Sequence, residues 1–206
     1  MAHFSRVSSL EALTALYGEI NPNSLRKEVP ALTPEYRRWI EAAPFMAIAT
    51  SGPGGLDCSP RGDTAGQFLK VLDDTTIAIP DRRGNNRLDT LKNLMGDPRV
   101  GLLFLIPGIG ECVRVNGRAI VTVDPLMRAL FAVQGNLPVT VIVVTVESVY
   151  FQCARAITRA RLWDQASQLH PSAVPTAGEM TRSGDATFDA VSYDAALAER
   201  QRKTLY

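Results

Sequence analysis

Histidine and cysteine are scarce in this chain of 206 residues, with two histidines, His3 and His170, and three cysteines, Cys58, Cys112 and Cys153. A histidine-based metal centre or a Ser-His-Asp triad therefore has little to be built from, and the cysteines are too widely spaced for a CxxC site and odd in number for a closed disulfide framework. Net charge is also small. The 22 basic and 21 acidic residues leave +1, too little for a field that would draw the chain to nucleic acid or to an anionic membrane, so any anion specificity has to be local. Long apolar runs are missing too: the longest, residues 139–146, is broken by Thr140 and Thr145 and falls far short of the ~18 residues of a membrane span. The first residues, Met-Ala-His-Phe-Ser-Arg, hold no apolar signal core. No GKS or GKT is present for a Walker loop, and Gly108-Ile-Gly110 runs on into strand-like sequence without the third glycine of a dinucleotide fingerprint. These absences point to a reduced, cytoplasmic protein. With 46% hydrophobic residues it still has enough apolar surface for one core.

What is present is mostly β-patterned. Ser8 with Glu11 reads as a capping box for a first helix carrying Leu10, Leu13, Leu16 and Tyr17, and Gly18 stops it. Asn21-Pro22-Asn23 reads as a turn, and Thr33-Pro34 as the cap and first residue of a helix that buries Tyr36, Trp39 and Ile40. From Ala43 the texture changes to short runs at 45–50, 56–59, 68–72, 76–80, 100–105, 113–123 and 139–152, with Ser51-Gly-Pro-Gly-Gly55 as a hairpin loop. Roughly seven strands with few helices between them predict a mainly β, antiparallel barrel with peripheral helices. Asn116-Gly117 inside a strand marks a bulge or tight bend. Asp124-Pro125 opens a helix that ends near Gly135, residues 165–187 read as a loop or wrapping arm, and residues 189–206 regain helical composition. The expected organisation is a helical extension packed on the barrel over 1–42, the barrel over 43–164 and a C-terminal arm and helix over 165–206, all in one structural domain.

Two groups of residues carry the chemistry: Cys58-Ser59-Pro60-Arg61-Gly62-Asp63, and Pro80-Asp81-Arg82-Arg83-Gly84-Asn85-Asn86-Arg87 leading into an amphipathic helix. Arg61, Arg82, Arg83 and Arg87 supply charged forks. Gly62 and Gly84 let backbone come close, and Asn85 or Asn86 can cap a helix whose N–H groups face an anion. That composition suits a phosphate-bearing ligand lying across strand ends. The plainer reading is solvated surface charge on an ordinary loop.

These groups, with Asp97-Pro-Arg-Val-Gly-Leu-Leu-Phe104, Arg114-Val-Asn-Gly-Arg118, Tyr150-Phe-Gln-Cys153 and Arg161-Leu-Trp163, resemble the pyridoxamine 5'-phosphate oxidase-like flavoproteins over residues 36–165. The resemblance implies an FMN-binding split β-barrel and a homodimer with FMN at the subunit interface. It puts Arg61 where the oxidases carry a phosphate-binding lysine, Cys58 and Ser59 along the flavin ring, and Pro80 and Asp81 at a strand end beside it. It assigns Arg82, Asn85, Asn86 and Arg87 to the phosphate loop and helix start, and Trp163 to the neighbourhood of flavin and substrate. Leu56 replaces the arginine that opens the flavin strand in true oxidases, and their C-terminal substrate-clamping Arg and His pattern is absent, which speaks against pyridoxamine phosphate as substrate. The implied activity is an FMN-dependent oxidoreductase of a small molecule, by hydride transfer at flavin N5, with a donor such as NAD(P)H. The alternatives are a flavin-binding or flavin-sensing protein without catalysis, or a deazaflavin-dependent reductase on the same fold.

Overall fold

A computed structural model describes residues 4–204; His3, Leu205 and Tyr206 lie outside them. The N-terminal region holds α1 (Leu10–Tyr17), α2 (Pro22–Arg26) and α3 (Pro34–Ala42). Two local expectations shift here. Ser9, not Ser8, caps α1 by accepting from Ala12 N, and Asn21-Pro22-Asn23 opens a short helix instead of a plain turn, because the Asn21 side chain accepts from Asn23 N and Pro22 is already set for a first helical position. Helices α1 and α2 bury none of their side chains. Helix α3 starts as expected, with Thr33 accepting from Tyr36 N ahead of Pro34. It buries Ile40 fully and sets Tyr36 and Trp39 against the core. Tyr36 Oη donates to Lys27 O at 2.7 Å and accepts from Phe151 N at 3.2 Å, fastening this helix to the sheet.

Seven strands follow: β1 (Phe45–Gly52), β2 (Gly55–Gly62), β3 (Lys70–Asp73), β4 (Thr76–Asp81), β5 (Arg99–Leu105), β6 (Cys112–Thr122) and β7 (Thr140–Gln152). They form one antiparallel sheet in the order β2-β1-β5-β6-β7-β4-β3. The mainly β, antiparallel architecture read from the sequence is the one observed. Alternation puts Met46, Ile48 and Thr50 of β1 and Val100, Leu102 and Phe104 of β5 on the inner face, where Ile77, Ile79, Val115, Ile142 and Val144 complete the core. Each such aliphatic or aromatic side chain contributes roughly 1.5–3 kcal/mol through burial. The β6–β7 register slips between Asn116 and Gly117. Glycine is needed there: a Cβ on Gly117 would lie 2.1 Å from Thr145 O.

Between the strands sit α4 (Asp89–Gly96) and α5 (Pro125–Ala129), the latter capped by Asp124 and shorter than expected because a tight turn closed by Val133 and Asn136 follows it. Helix α4 packs on β1 and β2, and its buried Asn93 donates to Gly55 O at 3.2 Å and Thr50 Oγ1 at 3.3 Å, pinning it to the β1–β2 hairpin. Beyond β7 come α6 (Arg155–Ala160), α7 (Ala177–Gly184) and α8 (Ala190–Lys203). The stretch 165–187, expected to be loop, holds two 3-10 turns and α7. Helix α7 is fixed by a capping box between Thr176 and Glu179 and by Asp194 of α8, which accepts from Gly178 N at 2.8 Å. Among the described residues no helix is long and apolar enough to cross a membrane.

Candidate functional site

Strand β2 is one edge of the strand order and β4 is next to last at the other side, beside β3; the two share no ladder, yet their C-terminal ends meet through ion pairs. Arg61 Nη2 of β2 lies 3.7 Å from Asp81 Oδ1 of β4, and Arg82, just past β4, reaches Asp63, just past β2, at 3.3 Å. The sheet therefore curls back on itself at a seam joined by side chains. At that seam opens a cavity of ≈ 1020 Å³, floored by the two strand ends and walled by residues 82–88, the start of α4 and residues 136–140.

Ser59, Arg61, Pro80, Asp81, Arg82, Asn85, Asn86 and Arg87 all line this one cavity. Cys58 and Trp163 do not. Alternation along β2 turns Asp57, Ser59 and Arg61 to one face and Cys58, between them, to the other, where it is exposed. Trp163 instead donates from Nε1 to Ile109 O at 2.7 Å, in the turn between β5 and β6. The asparagines also take a different place from the one read in the sequence. Neither Asn85 nor Asn86 caps α4; Asn85 Oδ1 accepts from Arg87 N at 3.0 Å, and the N-cap is Leu88, in the left-handed region at φ 63 with no side-chain cap bond. The first N–H groups of α4 are thus left without a capping side chain, at the cavity wall.

The four arginines divide by burial. Arg82 and Asp63 form a largely buried pair, with side chains 18% and 4% exposed, and Arg82 Nη1 also donates to Phe131 O at 2.8 Å. Parting that pair would strand a buried charge, so Arg82 is a fixed cation of the wall. Arg87 pairs with Asp89 at 2.8 Å while 74% exposed, and Asp89 draws its pKa upward. An exposed pair of this kind contributes little, so a ligand anion can take over the guanidinium. Arg83 is exposed and makes no ion pair among the described residues. Four arginines against Asp63, Asp81 and Asp89 leave the lining with an excess of positive charge.

Two participants were missed in the sequence. Thr90, buried at the second position of α4, donates from Oγ1 to Asp57 Oδ2 at 2.6 Å and accepts from Arg61 Nη2 at 3.2 Å. Asp57 also accepts from Ser59 Oγ at 3.0 Å. The chain Asp57–Thr90–Arg61–Asp81 therefore crosses from β2 through α4 to β4 and holds the Arg61 guanidinium in place. Burial raises the pKa of Asp81, and Arg61 acts against that shift. The i, i+2, i+4 spacing of Asp57, Ser59 and Arg61 was the available sign that they share a face.

A profile described as pyridoxamine 5'-phosphate oxidase matches residues 32–153, over half the chain. The chain belongs to the pyridoxamine 5'-phosphate oxidase family. Its curled antiparallel sheet with peripheral helices is that family's split barrel, as the sequence resemblance implied. Solved structures similar to this family member include HupZ from group A Streptococcus, at 16% identity and TM-score 0.48, covering 57% of this chain and 91% of that one. General stress protein 26 from Bacillus anthracis is similar at 13% identity and TM-score 0.42, covering 54% and 86%. An FAD-binding protein from Mycobacterium smegmatis is similar at 15% identity and TM-score 0.41, covering 60% and 97%. No curated protein matches the chain.

Proposed function

We propose that this chain binds FMN in the seam cavity and uses it as an oxidoreductase of a small molecule. The observation that carries the reading is the pairing, on one wall, of an α4 start without a capping side chain with exposed Arg83 and Arg87. Backbone N–H groups at a helix start and two accessible guanidinium groups are the donor set that a terminal monophosphate needs. Membership of a flavin-binding family supports the same ligand. The cavity volume lies at the upper end of the ~300–1,000 Å³ typical of small-molecule sites, which suits a mononucleotide with room beside it.

In this reading Asn85, Asn86, Arg83 and Arg87 hold the phosphate. Arg61, braced by Thr90 and Asp81, presents positive charge along the β2 edge, and Arg82 stabilises the wall. Bound FMN supplies two-electron chemistry, taking or giving a hydride at its ring N5. Phe68, Leu91 and Pro138 supply apolar wall that keeps water from the ligand, and Asp81 is the counter-charge beside Arg61. A homodimer belongs to the proposal. Leu56, Leu126 and Val139 are 90%, 80% and 71% exposed on the single chain, apolar surface that a second copy would bury.

The test begins with the visible absorption spectrum of the purified protein and the mass of whatever heat releases from it. A flavin spectrum with the mass of FMN supports the cofactor; a colourless protein that takes up no added FMN overturns it. Steady-state NAD(P)H oxidation by the loaded protein separates an enzyme from a flavin-binding protein without turnover.

A further inference from the structure

A second cavity, of ≈ 600 Å³, shares Arg82 with the first. Its other walls come from the approach to β3, with Gln67 and Lys70, and from the turn after α5, with Leu130, Phe131 and Gln134. The charge on its walls differs in kind from that of the main cavity. There, three aspartates accompany the arginines; here the lining holds two cations, Lys70 and Arg82, two carboxamides and no carboxylate. Asp63, behind the wall, balances Arg82, so Lys70 is the cation that gives this cleft its positive sign and draws anions to it.

The cations are also held in position before any ligand arrives. Arg82 is fixed by Phe131 O at 2.8 Å and by Asp63 at 3.3 Å, and Lys70 Nζ donates to Gly66 O at 2.7 Å. An ammonium has three donors, so that bond leaves Lys70 able to meet an anion as well. Gln67 and Gln134 add neutral donors, and the exposed Leu130 side chain offers a surface for an apolar body.

We propose that this cavity is an anion site that takes the carboxylate or phosphate of a small molecule, with Lys70 as its cation, Gln67 and Gln134 as further direct donors and the Arg82–Asp63 pair as the fixed wall behind them. The anion site stands on its own residues. That its ligand is the substrate or electron donor, brought beside the cofactor by the shared Arg82 wall, rests on the FMN reading above.

The experiment is calorimetric titration of the full chain with inorganic phosphate at constant ionic strength, before and after loading with FMN. The FMN-loaded protein is expected to bind phosphate saturably. Lys70→Met keeps the aliphatic stem and removes the charge, and should weaken that binding about tenfold. Gln134 sits at φ 50, a conformation that glycine takes without strain, so Gln134→Gly removes the carboxamide with the turn kept and should weaken it about threefold. Phosphate binding that is absent from the loaded protein, or equal to wild type in both variants, overturns the site. If the chain takes up no FMN, the FMN reading fails separately, and phosphate binding that is lost in Lys70→Met still upholds the anion site.

Discussion

Replacing Thr90 by valine tests the polar chain that braces Arg61. Valine keeps the shape of the side chain but removes the hydroxyl, which is buried, donates to Asp57 at 2.6 Å and accepts from Arg61 at 3.2 Å. A hydrogen bond to a charged group contributes ~1.5–3 kcal/mol, and two that share one oxygen are not additive, so the expected destabilisation is ~2–4 kcal/mol. For a chain of this size each kcal/mol moves Tm by ~2–4 °C, giving a fall of ~5–15 °C. Thr90→Ser is the control, since it loses a methyl group, ~1 kcal/mol, and keeps both bonds. Urea unfolding of the three proteins, with m compared to confirm that the unfolded states match, reads the difference directly. In the FMN-binding reading the valine variant also releases flavin faster, because the Arg61 guanidinium loses one of its anchors. A valine variant within ~1 kcal/mol of the serine one would refute the chain as a source of stability.

Three further perturbations address the site and the sheet. Arg87→Ala should weaken flavin retention at least ~tenfold, from the loss of a charge-assisted bond to phosphate, and unchanged affinity by fluorescence titration would remove Arg87 from the phosphate site. Gly117→Ala should destabilise the chain by several kcal/mol because its Cβ would lie 2.1 Å from Thr145 O; Gly101→Ala on the neighbouring strand, where the nearest atom is 3.7 Å away, should be far milder in thermal unfolding. Arg99 holds the Asp97 carboxyl down at about 2, below its ordinary 3.8. The stabilisation tied to that ionised carboxylate is complete above the unfolded value and fades as pH falls from ~4 to ~2. The Tm gap between wild type and Asp97→Asn should narrow across that window and stay constant from pH 5 to 7.

Much of the barrel was legible because alternation and turn chemistry are local signals. Thr33-Pro34, the Gly-rich β1–β2 hairpin and the slip at Asn116-Gly117 all stand where the sequence placed them. The gathering of Arg61 with residues 80–87 could be read from charge spacing, since both groups sit at strand ends that meet in space. The facing of Cys58 was lost because the adjacent Cys58 and Ser59 were both set along the flavin ring, whereas neighbours on an edge strand point to opposite sides. The helix start was misplaced because Leu88 adopts a left-handed conformation that its side chain does not advertise, while Asn85 spends its carboxamide on a local turn. Spacing along β2 could have set Asp57 beside Ser59 and Arg61, but its bond to Thr90 joins residues 33 apart, and no pattern within either element records that partnership. Helix α7 hid in a segment rich in turn-forming residues, where Asp194 of the next helix supplies part of its cap.

Because strands β2 and β4 are joined at the seam by Arg61–Asp81 and Arg82–Asp63 and by no backbone ladder, the barrel closes with a latch rather than a weld. Parting it would leave every backbone ladder of the sheet in place, yet it would strand the largely buried charges of Arg82 and Asp63, so the latch is held shut by the cost of exposing that pair. Salt, which screens buried pairs least, should therefore loosen the more open Arg61–Asp81 contact before it touches Arg82–Asp63, and the seam gives way at one end first.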